Sequence, residues 1–253
     1  MTPPSDLRDY SNREIYRRRV ETALTQWRTV YKDTELFICA EGLLEKQAWD
    51  AVLSLRRELE AYIARHPEFL TSLSPIEPLP GAPEAVVRMC RAGAAANVGP
   101  MAAVAGAFSA HVGETLLRLS PQVIVENGGD IFMKTNTVSN AAVFAGQSPL
   151  SMRVGIAIDS SAQPVSVCTS SGTIGPSLSF GRADAAVVVS HDAYLADACA
   201  TRMGNEVKTA EDIAAAVELV CGIKGVIGAL AVVGEACGAA GNIALVALSA
   251  GKS

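Results

Sequence analysis

Asp197 and Thr201 stand four residues apart in the segment Leu195-Ala196-Asp197-Ala198-Cys199-Ala200-Thr201. On a helix that spacing stacks both side chains on one face. A carboxylate and a hydroxyl so placed offer two hard oxygen ligands to Mg²⁺, whose other positions would go to water, backbone carbonyl or a substrate phosphate. An exposed polar face explains the same pair. The flanking alanines and Cys199 favour a packed helix, and a carboxylate inside packing needs a partner.

Three further segments depart from what a plain core requires. Asn97-Val98-Gly99-Pro100-Met101-Ala102 interrupts a stretch made mostly of Ala and Gly. Helices rarely hold Gly-Pro internally, so the break either frees main-chain groups for a ligand or simply kinks the chain. Asn127-Gly128-Gly129-Asp130 reads as a tight turn after a strand, and its glycines would also let a ligand approach the backbone. Cys168-Thr169-Ser170-Ser171-Gly172-Thr173 runs on through Gly175, Ser177, Ser179, Gly181 and Arg182. Hydroxyls and glycines at a strand end can hold phosphate or carboxylate oxygens, or form a polar loop with no ligand. Cys168 is a candidate thiol there, with no His or Lys beside it in sequence.

The net charge is −5 and 49% of residues are apolar, which argues against a nucleic-acid surface and supplies a core. The one basic cluster, Arg13 with Arg17, Arg18 and Arg19, reads as a solvated strand edge. No apolar leader follows Met1 and no uninterrupted apolar span exists, so a cytoplasmic, non-membrane protein is expected. The six cysteines show no CxxC pair and read as core residues. A serine hydrolase is unsupported, because no GxSxG elbow is present.

One domain spanning 1–253, with 1–15 as a flexible leader, must position these segments. Residues 16–23 and 27–40 read as strands, the second turning at 32–34 into a hairpin. Residues 44–65 carry apolar side chains near a 3.6 period and form an amphipathic helix. Four prolines make 72–83 a loop. Residues 84–95 and 102–119 read as helices on either side of the Gly-Pro break. Short apolar runs at 123–126, 131–134, 141–145, 152–158, 165–169 and 185–190 read as strands. Helices follow at 193–203, entered through Asp192, and from Thr209 with Asp212 through Cys221. Two last strands, 229–233 and 243–248, flank a Gly-rich turn at 237–242, and they offer a sheet through which a homodimer would form.

In order along the chain, GGDI (128–131), TSSG (169–172) and ADACAT (196–201) resemble the ApbE-like superfamily, best known for magnesium-dependent FAD:protein FMN transferases. A short uncharacterised-protein-family branch is closer, through VGPMAAVAG (98–106), VENGGDIF (125–132), CTSSGT (168–173), SFGRADA (179–185) and LADACAT (195–201). The resemblance implies an α+β fold in which two similar helix-and-sheet halves enclose a central cleft. It implies that Asp197 and Thr201 are metal ligands, completed by a backbone carbonyl near 99–102. It also implies that Asn127, Gly128, Gly129 and Asp130 face a flavin or its diphosphate, together with Thr169, Ser170, Ser171, Gly172 and Thr173. The transferases carry a Lys where this chain has Ala103, and a His in a loop that this chain lacks. The charge opposite a phosphate would then come from Arg182, Arg202 or Lys134.

These implications lead to a protein that binds Mg²⁺ with FAD, FMN or another small phosphorylated ligand, Asp197 holding the metal. Two alternatives stand beside it. One is a role in sulfur assimilation, implied by the branch, with the Cys168 or Cys199 thiol handling sulfur. The other is a non-catalytic relative that keeps the fold alone.

Overall fold

The computed structural model describes residues 23–172 and 181–248. The hairpin of β1 (Thr25–Tyr31) and β2 (Thr34–Ala40) turns at Lys32, whose φ is 51°. The amphipathic helix α1 (Glu45–Arg65) buries Ala48, Ala51, Val52, Leu55, Leu59 and Tyr62, one apolar stripe at helical spacing. A single turn, α2 (Glu68–Thr71), leads into the proline-rich connection. There follow α3 (Glu84–Ala96), a 3₁₀ turn (Pro100–Ala103) and α4 (Val104–Leu116).

The strands β3 (Val123–Asn127), β4 (Asp130–Lys134), β5 (Ser139–Ala142), β6 (Val154–Ile158), β7 (Val165–Ser170) and β8 (Ala185–Ser190) come next. Helix α5 (Ala193–Glu206) starts at Asp192, whose side chain accepts from Tyr194 N, as an N-cap should. Thr209 and Asp212 form a capping box ahead of α6 (Ile213–Cys221). The chain ends in β9 (Val226–Val233), β10 (Ala236–Gly241) and β11 (Ala244–Ala247).

All strand pairs are antiparallel, which makes the fold α+β. Eight strands form one sheet in the order β1-β2-β3-β4-β7-β8-β9-β10, and β11-β6-β5 form a second. The large sheet is assembled twice in the same manner. A hairpin (β1–β2, then β7–β8) is followed by helices and a second hairpin (β3–β4, then β9–β10). Strands β4 and β7 meet at the middle, and β5 and β6 lie between them in sequence.

Alternation along β8 shows the layers. Ala186 and Val188 pack in the core under the helices, whereas Ala185, Val187 and Val189 pack with Ile156, Ile158 and Val143 beneath the small sheet. The period of two of a strand sends neighbours to opposite faces, and both faces of β8 are covered, hence its unbroken apolar run. Among the described residues no helix is long and apolar enough to cross a membrane.

Three expectations need correction. Residues 237–242 are not a turn: they fall mostly within β10, and the chain reverses instead at Gly234 and Glu235. Helix α5 runs to Glu206 rather than ending at 203. Cys237 is exposed and Cys221 half-buried, so only Cys39, Cys90, Cys168 and Cys199 are core cysteines. The strand expected at 16–23 and the arginine cluster at 13–19 lie outside the described residues, apart from Ala23.

Candidate functional site

Helices α4 and α5 cross where both carry small residues. A Cβ on Gly106 would stand 2.3 Å from the Ala193 carbonyl oxygen and 2.9 Å from the Asp197 Cβ. This contact places the Asp197 carboxylate, only 9% exposed, against the first turn of α4. The first N–H groups of a helix lack intrahelical acceptors, and Ala103, at the N-cap of α4, offers no side-chain acceptor. Asp197 fills that role from the neighbouring helix. Its Oδ2 accepts from Gly106 N at 2.8 Å, and the Ala105 amide also donates to the carboxylate.

The hairpin β3–β4 and the end of β7 reach the same place. Asn127 Nδ2 donates to the Ala105 carbonyl at 3.2 Å. Gly128 has φ 72°, and Gly129 O accepts from Thr169 N at 3.1 Å. A Cβ on Gly129 would stand 3.0 Å from Thr169 O, so the turn and β7 lie in close contact. Asp130, 7% exposed, opens β4 beside Cys168. Asn127, Gly129, Asp130, Cys168, Thr169 and Asp197 therefore converge on one turn of α4, at the seam between β4 and β7.

The electrostatics are those of buried negative charge. Burial, and then the charge of Asp130, push the Asp197 carboxyl well above the usual carboxylate range, against the pull of the two amides. Burial, then Asp130 and Asp197, hold Cys168 as a neutral thiol far above its ordinary pKa. Its Sγ donates to Ala193 O at 3.6 Å. Reactive thiolates occupy electropositive, partly exposed sites, and Cys168 is in the opposite setting. Burial likewise raises Cys199 to about 12. At neutral pH a maleimide should therefore label Cys237 first, with Cys168, Cys199, Cys39 and Cys90 unmodified in the native protein. Mass mapping of the labelled peptides checks this, and modification of Cys168 before Cys237 would contradict it.

Other expected positions are less central. Thr201 is half-buried, one turn beyond Asp197 on α5. Ser170 is buried at the end of β7, Ser171 Oγ lies 3.5 Å from the Ala183 carbonyl, and Gly172 N donates to that carbonyl at 2.9 Å. Thr173 lies outside the described residues. Lys134 is excluded as a charge for this site. It stands at the far end of β4 from Asp130, about 13 Å along the strand, and binds Ser161 O. Arg202 pairs with Glu206 at 2.9 Å.

The break at 97–102 is a helix cap followed by a 3₁₀ turn that packs against α5. Asn97 ends α3 in the left-handed region, and Val98 N caps Gly93 O. Gly99 O and Met101 O accept within the 3₁₀ turn, from Ala102 N and Val104 N. A Cβ on Gly99 would lie 1.8 Å from Ser72 O, which accounts for the glycine by packing. The amides that reach the site belong to Ala105 and Gly106, one turn later. Main-chain donors leave no mark on residue type; the one legible sign was Gly106 itself. Among the described residues no group of three or more His, Cys, Asp and Glu side chains is placed to hold a metal.

The family described as AbpE bacteria matches residues 17–224. The chain belongs to this family. Relatives similar to it include the UPF0280 protein of Methanocella arvoryzae, 39% identical over 205 residues that cover 81% of this chain and 83% of that one. The UPF0280 protein of Methanosarcina barkeri is 41% identical over 215 residues, covering 84% and 85%. Among solved structures, the apo form of the flavinyl transferase ApbE of Pseudomonas stutzeri superposes with a TM-score of 0.60 at 12% identity, over 85% of this chain and 94% of that one. The flavin transferase ApbE of Vibrio cholerae gives 0.53 at 11%, over 89% and 97%. The chain thus shares the ApbE fold at distant sequence identity and is similar in sequence to the UPF0280 proteins.

Proposed function

We propose that this family member binds a flavin nucleotide or another small phosphorylated molecule together with Mg²⁺, at the seam of β4, β7, α4 and α5. The observation that carries the reading is the convergence of two buried carboxylates, Asp130 and Asp197, with the Gly128-Gly129 turn and Thr169 near the end of β7. Two carboxylates that raise each other's cost of ionisation suit a hard dication, which would offset both charges. Asp197 and Thr201 would hold it, with Asp130 close by. When bound, the cation would polarise a phosphoryl oxygen. The chain's own part is to fix Asp197 by the α4 amides and to keep Asn127, Gly128 and Gly129 against Thr169, so that main chain faces the ligand. The hairpin, helical connection and hairpin repeated on either side of the seam support reading it as the cleft between two similar halves. The group-transfer chemistry of the ApbE proteins is the reaction class to test once binding is found.

Equilibrium titration of the full chain with FAD in Mg²⁺, followed by flavin fluorescence, tests the reading. Saturable binding should weaken roughly 10- to 100-fold in Asp197→Ala, because divalent affinity follows the charge of the ligand set. Absence of binding at millimolar FAD and Mg²⁺, with the protein shown folded by circular dichroism, would end it.

A further inference from the structure

The two ends of the eight-stranded sheet are built differently. At one end β1 carries Arg28, paired with Glu35 at 2.6 Å, and Lys32 follows it, paired with Glu60 at 2.7 Å. At the other end β10 is Ala-Cys-Gly-Ala-Ala-Gly, and no charged residue stands between Glu235 and Lys252. Among the described residues β10 ends the strand order and pairs only with β9 in the sheet. Cys237, Ala239 and Gly241 are exposed on one face, and no proline or bulge interrupts the β9–β10 register. Among the described residues, a six-residue edge of this composition leaves one row of backbone donors and acceptors open to a partner strand.

We infer that β10 pairs with β10 of a second copy of this chain about a two-fold axis, joining two eight-stranded sheets into one. Four features favour a copy of the same chain as the occupant. An antiparallel edge is self-complementary, so one patch serves both sides. The chain carries a net charge of −5, and β10 itself brings no charged side chain to the contact. Side chains no larger than Cys leave little bulk on either face of the paired strands, which backbone hydrogen bonds would hold at the ordinary sheet spacing of about 4.8 Å. Finally, a groove of about 290 Å³ lies between α6 and β10, lined by Ala210, Ile213, Ala214, Val217 and Glu218 with β10 itself. A two-fold normal to the sheet brings the partner's helical layer to the same face, where it closes this groove. The inference is independent of the ligand site.

Sedimentation velocity of the full chain at micromolar concentrations tests it. The wild type should sediment at twice the chain mass. Ala239→Lys, which places a charge on an exposed side of β10, should sediment as a folded monomer, and Val30→Lys on the exposed part of β1 should remain a dimer. Circular dichroism checks that both variants fold, and Cys237→Lys stands in if Ala239→Lys does not. A monomeric wild type overturns the inference, as does a folded β10 lysine variant that remains a dimer or a folded Val30→Lys that dissociates.

Discussion

Gly106→Val should yield no stable protein at 37 °C, and Gly106→Ala should lower the melting temperature by roughly 6–12 °C, from about 3 kcal/mol of destabilisation. A methyl there would stand 2.3 Å from the backbone oxygen of Ala193 and 2.9 Å from the Asp197 Cβ. Neither neighbour is the movable end of a side chain, so helices α4 and α5 must separate. Separation also lengthens the Gly106 N to Asp197 bond of 2.8 Å, leaving a buried carboxylate short of a donor. Gly234 is the control. Nothing lies within 4 Å of a Cβ there and φ is +57°, so Gly234→Ala should cost only about 1 kcal/mol. Calorimetric melts of the three variants check this, and an unchanged melt for Gly106→Ala would show that the helix contact is looser than described.

Asp197→Asn should reverse its effect on stability when Mg²⁺ is added. The folded-state carboxyl lies above its unfolded value through burial and the Asp130 charge. Its contribution is therefore fully present below the ordinary carboxylate range and is lost as pH rises through the raised value. At pH 7.5 without divalent ions the asparagine variant should melt above wild type, and the difference should shrink toward pH 4. Asparagine still accepts from Gly106 N, so the helix contact survives. With Mg²⁺ at 100 times its Kd, the wild type should gain about 2.7 kcal/mol, or roughly 5–10 °C, and the variant far less. Equal Mg²⁺ shifts in both proteins would remove Asp197 from the metal site.

Much of the scaffold was legible because single side chains announce it. The apolar stripe of α1 repeats at the helical period, and Asp192 as an N-cap and the Thr209–Asp212 capping box each act within one turn of the chain. β10 was not legible. Its six small residues carry no strand preference, and it is a strand because β9 pairs with it and because Gly238 fits where any Cβ would lie 2.6 Å from Ile213 Cγ2. The assignment of β5, β6 and β11 to a second sheet was equally hidden, since it depends on contacts far apart in sequence. In the site, Asp197 stood out as a carboxylate among alanines, and the Gly-Gly turn as a turn. Their meeting at the Ala105 and Gly106 amides was invisible, because backbone groups are the same in every residue and only packing decides which ones face a carboxylate.

Crystals soaked in Mn²⁺ and FAD, with anomalous scattering recorded from the manganese, address the site most directly. The proposed arrangement places the peak at bonding distance from Asp197 and Thr201, between α5 and the Gly128-Gly129 turn. A peak elsewhere on the molecule, or none while FAD is bound at another surface, would contradict it.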